Sequence, residues 1–226
     1  MNRLLAAGAA AALSFSLSAC VQAQSPERTS FDGLVGSRTV DTDGDVEMNG
    51  VAVTLRGRVG GDVEMNGASV DMRADVGGDV EANGASAELD GDIRGRTLVN
   101  AGSARLMGGY TGPVEVNAGA AELRGSFNRE LLVRAGRVDF QGDAAAPVRF
   151  LGDGARHGWR DRGDDSKVRV RGALHAGGTI CAHEVRFEPN ARVLAPLTVI
   201  SDDAPLFETG FDASNVRHEP RQGDCD

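Results

Sequence analysis

The residues with chemistry to offer are few and widely spaced. They are three cysteines (Cys20, Cys181, Cys225), four histidines (His157, His175, His183, His218) and one tryptophan, Trp159, followed by Arg160 and Arg162. Thiols can be acylated, oxidised in pairs or bound to metal, and imidazoles can ligate zinc or carry protons. Such groups act only in spacings that fold onto one another. The chain has no Gly-x-Ser-x-Gly elbow, no phosphate-cradling glycine loop and no paired-cysteine knuckle. His175 and His183 are the only candidates for catalysis, and we expect no catalytic residue, no metal and no cofactor. The acidic approach Asp41-Thr42-Asp43-Gly44-Asp45 lacks the distal Glu of an EF-hand loop, and the GGxGxD calcium repeat is missing too.

Composition narrows the classes further. There are 24 basic against 33 acidic residues, net charge -9, and 4% aromatics. That balance repels phosphate backbones, which disfavours nucleic acid, and it leaves few rings on which sugars or bases could stack. Glycine is abundant, 31 in 226 residues, while proline is only 7, which excludes collagen and proline-rich linkers. Hydrophobic content of 41% is enough for one folded domain with short tails.

Cys20 stands at the end of a segment with one early positive charge, Arg3, and an uncharged Ala- and Leu-rich run from Leu4 to Ala19. This is the layout of an export signal, too short to span a bilayer permanently. Its last four residues, Leu17-Ser18-Ala19-Cys20, resemble the lipobox of bacterial lipoproteins. The resemblance implies cleavage after residue 19, diacylglycerol on the Cys20 sulfur, and anchoring to a membrane through the acyl chains. The alternative is an ordinary signal cut later, for instance after Ala23. Val21, rather than Asp, follows the cysteine, which in the lipoprotein family points to the outer membrane. Residues 20–31 read as anchor and tether. Cys181 and Cys225 then lie in an exported chain, where a pair is more often a disulfide than a metal site; separate thiols or pairing between chains are the alternatives.

What must position these residues is a repeat. GDVEMNG at 44–50 and 61–67 and GDVEANG at 78–84 are offset by 17. The same step links Asn49, Asn66, Asn83, Asn100 and Asn117. Starting from Val46, Met48, Val53, Leu55 and Val59 it traces columns that stay almost wholly apolar through the seventh unit. Polar positions such as Glu47, Thr54 and Arg56 alternate with them, a period of two within each unit. Alternation inside a unit and identity between units predict an all-β, three-sided parallel β-solenoid over 32–200, with glycine or small residues at the corners. Roughly six to seven coils follow in this register, with one or two more after an inserted loop. The asparagines are expected to stack as a structural ladder. The acidic column beginning at Glu47 reads first as a solvated face and second as a weak cation surface.

After Phe150 the register slips, and residues 152–167 read as a polar loop holding Trp159, Arg160 and Arg162, the contact site to expect if a partner binds there. Residues 201–226 read as a tail or cap. Tandem Gly-Asp-Val-Glu-x-Asn-Gly units with this period resemble the bactofilin-type, polymer-forming β-helix proteins and the exported β-strand repeats related to adhesin heads. The resemblance implies a right-handed, cofactor-free rod that self-associates end to end. The expected function is therefore a non-enzymatic envelope scaffold, lipid-anchored and associating with itself or with envelope partners. An adhesin-like module that uses the Trp159 loop and the acidic faces to hold a glycan, peptide or cation is the alternative.

Overall fold

A computed structural model describes residues 28–152, 166–223 and 225. Seventeen strands, all paired in parallel, wind into one β-solenoid of about 11 turns with about 17 residues per coil. The first six coils each contribute one long bent strand: β1 (Thr29–Thr42), β2 (Val46–Val59), β3 (Val63–Val76), β4 (Val80–Ile93), β5 (Thr97–Tyr110) and β6 (Val114–Phe127). Each lies on the next at an offset of 17. At about 4.8 Å per coil the rod is roughly 50 Å long.

The coils then break into short segments that mark three sides. They are β7 (Leu131–Phe140), β8 (Asp143–Ala144), β9 (Val148–Leu151), β10 (Lys167–Val170), β11 (Ala173–Leu174) and β12 (Gly178–Ala182), then β13 (Glu184–Phe187), β14 (Arg192–Val193), β15 (Leu197–Ser201), β16 (Leu206–Phe207) and β17 (Val216–Pro220). Lys167 pairs with Arg137, a step of 30 where the period is 17, so the surplus enters between β9 and β10. A further two residues enter before β14, where Arg192 pairs with Ala173.

Three boundaries differ from the sequence reading. The solenoid opens at Thr29 rather than 32, because β1 pairs with β2 along its length. Lys167, placed in the loop, is the first residue of β10. Residues 201–220 are more than a tail: β16 lies on β13 and β17 on β15, extending the stack. The coil number is accordingly larger than expected. Irregular steps of 19 and 20 hid these last coils from a search at 17.

The core is a stack of columns whose volumes compensate. Along the third side the buried residue grows through Val59, Val76, Ile93, Tyr110 and Phe127, while on the second side it shrinks through Val53, Val70, Ala87, Ala104 and Ala121. Interiors pack at crystal-like density, so one column can widen only where its neighbour narrows. Where Ala144 ends the growing column, Phe140 and Phe150 take up the space. Tyr110, Phe127, Phe140 and Phe150 form a continuous row of rings with centroids 5.1 to 6.1 Å apart, the first pair stacked and the next two tilted. Burial, and secondarily the charge of Asp90, pushes the Tyr110 hydroxyl far above its ordinary pKa, and the buried group bonds the Met107 carbonyl. At the corner after Leu106, Gly108 has φ 105°, and a Cβ there would overlap the Gly91 carbonyl one coil away, so only glycine fits.

Candidate functional site

Because parallel coils stack in register, every outward position becomes a column, and the sides can be read as columns of like or unlike chemistry. On the first side the repeat Asp-Val-Glu points Asp and Glu the same way, two residues apart. Asp45, Asp62 and Asp79 form one column and Glu47, Glu64 and Glu81 the next. Together they line a groove of about 220 Å³ that Arg28 closes at one end and Arg96 at the other. One oxygen of each Asp is committed: Asp62 N–H donates to Asp45 Oδ1 at 3.0 Å, Asp79 N–H to Asp62 Oδ1 at 2.8 Å, and Arg96 N–H to Asp79 Oδ1 at 2.7 Å. One oxygen of each Glu accepts from Nδ2 of the Asn two residues on, at 3.0 Å.

Those asparagines form a directional ladder. Asn66 donates to Asn49, Asn83 to Asn66, Asn100 to Asn83 and Asn117 to Asn100, at 2.9 to 3.0 Å. Charges terminate it: Asn49 donates to Asp32 at 3.1 Å, and Arg134 donates to Asn117 at 3.3 Å and to Glu115 at 2.8 Å. Partial desolvation of Glu115 is outweighed by hydrogen bonds from Arg134 and Arg96, which hold its carboxyl below the usual range.

The second side carries the opposite pattern. Arg105 lies between Glu88 at 3.7 Å and Glu122 at 2.9 Å, and Arg169 and Arg171 lie between Asp139 and Glu188 at 3.3 to 4.0 Å. Arg105, Arg169 and Arg171 thus bridge carboxylates on neighbouring coils, although Asp71 lies on Glu88, Glu122 on Asp139 and Arg169 on Arg186. The groove's six carboxylates face their own kind.

Past Asn117 the asparagine column continues as Arg134 and Leu151 and, beyond the insertion, as Cys181, Ile200 and Glu219. Cys181 and Cys225 are joined in a disulfide with Cα atoms 5.6 Å apart, so the chain end reaches back past two coils. A second column makes the same connection. Ser166 Oγ accepts the His183 N–H at 2.9 Å, His183 Nδ1 meets Asp202 Oδ2 at 2.6 Å, and Arg221 grips Asp202 with two bonds of 2.8 Å. The hydrogen bonds from Arg221 and then His183 hold the Asp202 carboxyl below the usual range. His175 pairs instead with Asp143 at 3.9 Å.

Chemically the groove is an acceptor surface for positive charge. Among the described residues no three His, Cys, Asp or Glu side chains converge on a metal-sized site. Cys20, Trp159, Arg160 and Arg162 lie outside the described residues. The Asp column and the His183–Asp202–Arg221 stack are what sequence reasoning missed. The first was legible in the Asp-x-Glu spacing of the repeat; the second appears only once the steps of 17, 19 and 19 are known. No protein-family model, curated protein or solved structure matches the chain.

Proposed function

We propose that this chain is a non-enzymatic lipoprotein of the cell envelope, a rigid rod anchored through Cys20 that displays its charged sides to envelope partners. The observation that carries this reading is the unbroken stack of about 11 coils around one core, which holds two long outer surfaces at fixed spacing. The lipobox-like Leu17-Ser18-Ala19-Cys20 supports the address.

Two features favour single rods over filaments. Inward positions of the first coil carry Thr29, Arg38 and Thr42, paired with Val46, Leu55 and Val59 of the second. The Arg38 guanidinium lies 4.8 Å over the Phe31 ring, and a rod stacked there would bury that charge. At the other end, the disulfide and the Arg221 fork tie the last strand to coils inside the stack. Sedimentation velocity and electron microscopy of the mature protein test this. Monodisperse short rods are the expected result; filaments or ladders of end-to-end species would overturn the single-rod reading. Labelled palmitate in cells, lost on Cys20→Ala, tests the anchor.

A further inference from the structure

We propose that the N-terminal corner of the solenoid, built by Leu34, Val35 and Val51, is a membrane-seating tip that dips into the lipid surface to which the chain is anchored. The inference rests on the lipid-anchor reading of Cys20 and goes beyond it, because a tether alone would leave the rod free to stand at any angle.

The first observation is exposure. Leu34 is 78% exposed, Val35 80% and Val51 53%, and all three occupy one corner at one end of the rod. Gly33 pairs with Gly50 and Val35 with Ala52, so Leu34 and Val51 are neighbours across the ladder. A soluble corner has no need of three large aliphatic side chains, each of which would gain on leaving water.

The second observation is a gradient. At the Leu34 position successive coils carry Leu34, Val51, Ala68, Ala85, Gly102 and Gly119; at the Val35 position they carry Val35, Ala52, Ser69, Ser86 and Ser103. The backbone geometry repeats from coil to coil, and the corner stays largely exposed down the rod. From the first coil to the third the side chains nevertheless shrink or turn polar, and no large aliphatic side chain returns at either position through Gly119 and Ala120. Folding does not require that taper, since glycine and alanine satisfy the same corner farther down. A depth-dependent environment outside the protein accounts for it.

The third is where the chain leads. The tip belongs to the first coil, and Cys20 precedes Arg28 by eight residues. At full extension these span at most about 29 Å, so an acylated Cys20 keeps this end, and not the far one, beside the bilayer. Charge at the tip fits the same surface. Arg38 lies on the end face over Phe31, where a lipid phosphate would stand, and Arg28, 64% exposed, lies 3.6 Å from Glu47. Among nearby acids, Asp41 pairs with Arg58 and Glu47 with Arg28, while Asp32, which accepts from Asn49, keeps its charge and Asp43 is exposed.

The test uses the full lipidated protein in vesicles of phosphatidylethanolamine and phosphatidylglycerol. With Cys20 acylated and Cys181 bonded to Cys225, an added cysteine is the sole free thiol. Val35→Cys and, three coils away at the same corner, Ala85→Cys are labelled with an environment-sensitive fluorophore, and some vesicles carry brominated acyl chains. Palmitate on Cys20 and flotation of the protein are read before any label is added; their failure would overturn the anchor reading itself. With anchoring established, the expected result is blue-shifted emission at position 35, quenched several-fold more strongly by bromolipid than at 85, and loss of that difference on Leu34→Asp with Val51→Asp. Equal, water-like emission at both positions would overturn the seating. A blue shift at 35 that bromolipid does not quench, and that grows with protein density, would also overturn it and assign the tip to a second copy.

Discussion

The first six coils and the last five solve one problem in two ways. In the first six, each coil lies on its neighbour at a constant step of 17, and on the first side identical residues meet, Asn on Asn, Glu on Glu, Asp beside Asp, while on the second side Arg105 meets Glu88 and Glu122. Stacking stabilises neutral amides, whose donors and acceptors are complementary, and penalises like charges. In the last five the step varies between 17, 19, 20 and 30, and unlike groups meet at His183 on Asp202, Asp202 on Arg221 and Arg169 beside Glu188, although Arg169 also lies on Arg186. On its first side the regular half is joined by sameness; the irregular half relies on complementary partners and a covalent staple. The like-charged groove is the feature of the regular half that stability alone does not favour.

Four measurements would break or sharpen this contrast. The largest effect is expected in the core. Leu106→Ala should cost about 2–5 kcal/mol, and in a quasi-one-dimensional fold the loss should fall on the regular half. Denaturant unfolding combined with hydrogen exchange would show whether the two halves melt separately; a single shared transition would join them into one cooperative unit.

Next comes the staple. Removing it with Cys181→Ser and Cys225→Ser should cost typically about 2–4 kcal/mol, with new proteolytic sites after residue 178 and none before 127. Acid should act on the same region. The Asp202 and Glu184 carboxyls are held below their ordinary values in the fold, Asp202 by Arg221 and His183, Glu184 by Lys167. Their contribution is therefore complete above the usual carboxylate range and is lost as pH falls through the lowered values. Proteolysis of the reduced chain should increase on acidification; an unchanged pattern would remove these ion pairs from the account.

A smaller loss is expected for Asn83→Ala, which leaves Asn66 Oδ1 and Asn100 Nδ2 without their ladder partners. About 1–2 kcal/mol is the scale for such groups, and thermal melts compared with Ser86→Ala, at the exposed corner nearby, would isolate it.

The smallest effects concern surface charge and should differ in sign. Glu64→Gln relieves repulsion in the groove and should raise stability by less than about 1 kcal/mol, an advantage that added salt erases. Glu122→Gln removes the nearer of Arg105's two carboxylate partners and should lower stability by a similar amount. Equal signs in low-salt melts would show that the two sides do not differ electrostatically.

Much of the fold was legible because parallel stacking converts a sequence period directly into spatial neighbours. Once 17 was found, the columns from Val46, Met48 and Asn49 followed without knowledge of the backbone. The groove was half legible: its Glu column was read, while the Asp column two residues earlier was passed over. The contact reading at Trp159, Arg160 and Arg162 lies outside the described residues.

What the sequence determined by itself is the class of fold, its period and the chemistry of each early column, since a constant offset leaves no freedom in who meets whom. What only the tertiary structure decided is everything after the offset changes. Cys181 falls in the asparagine column, Ser166, His183, Asp202 and Arg221 line up, and β17 adds a further coil where a tail was read. An insertion at a corner leaves the strands on either side free to resume the stack. The register that results is set by which inward residues fill the core, a choice made in three dimensions that no fixed spacing along the chain records.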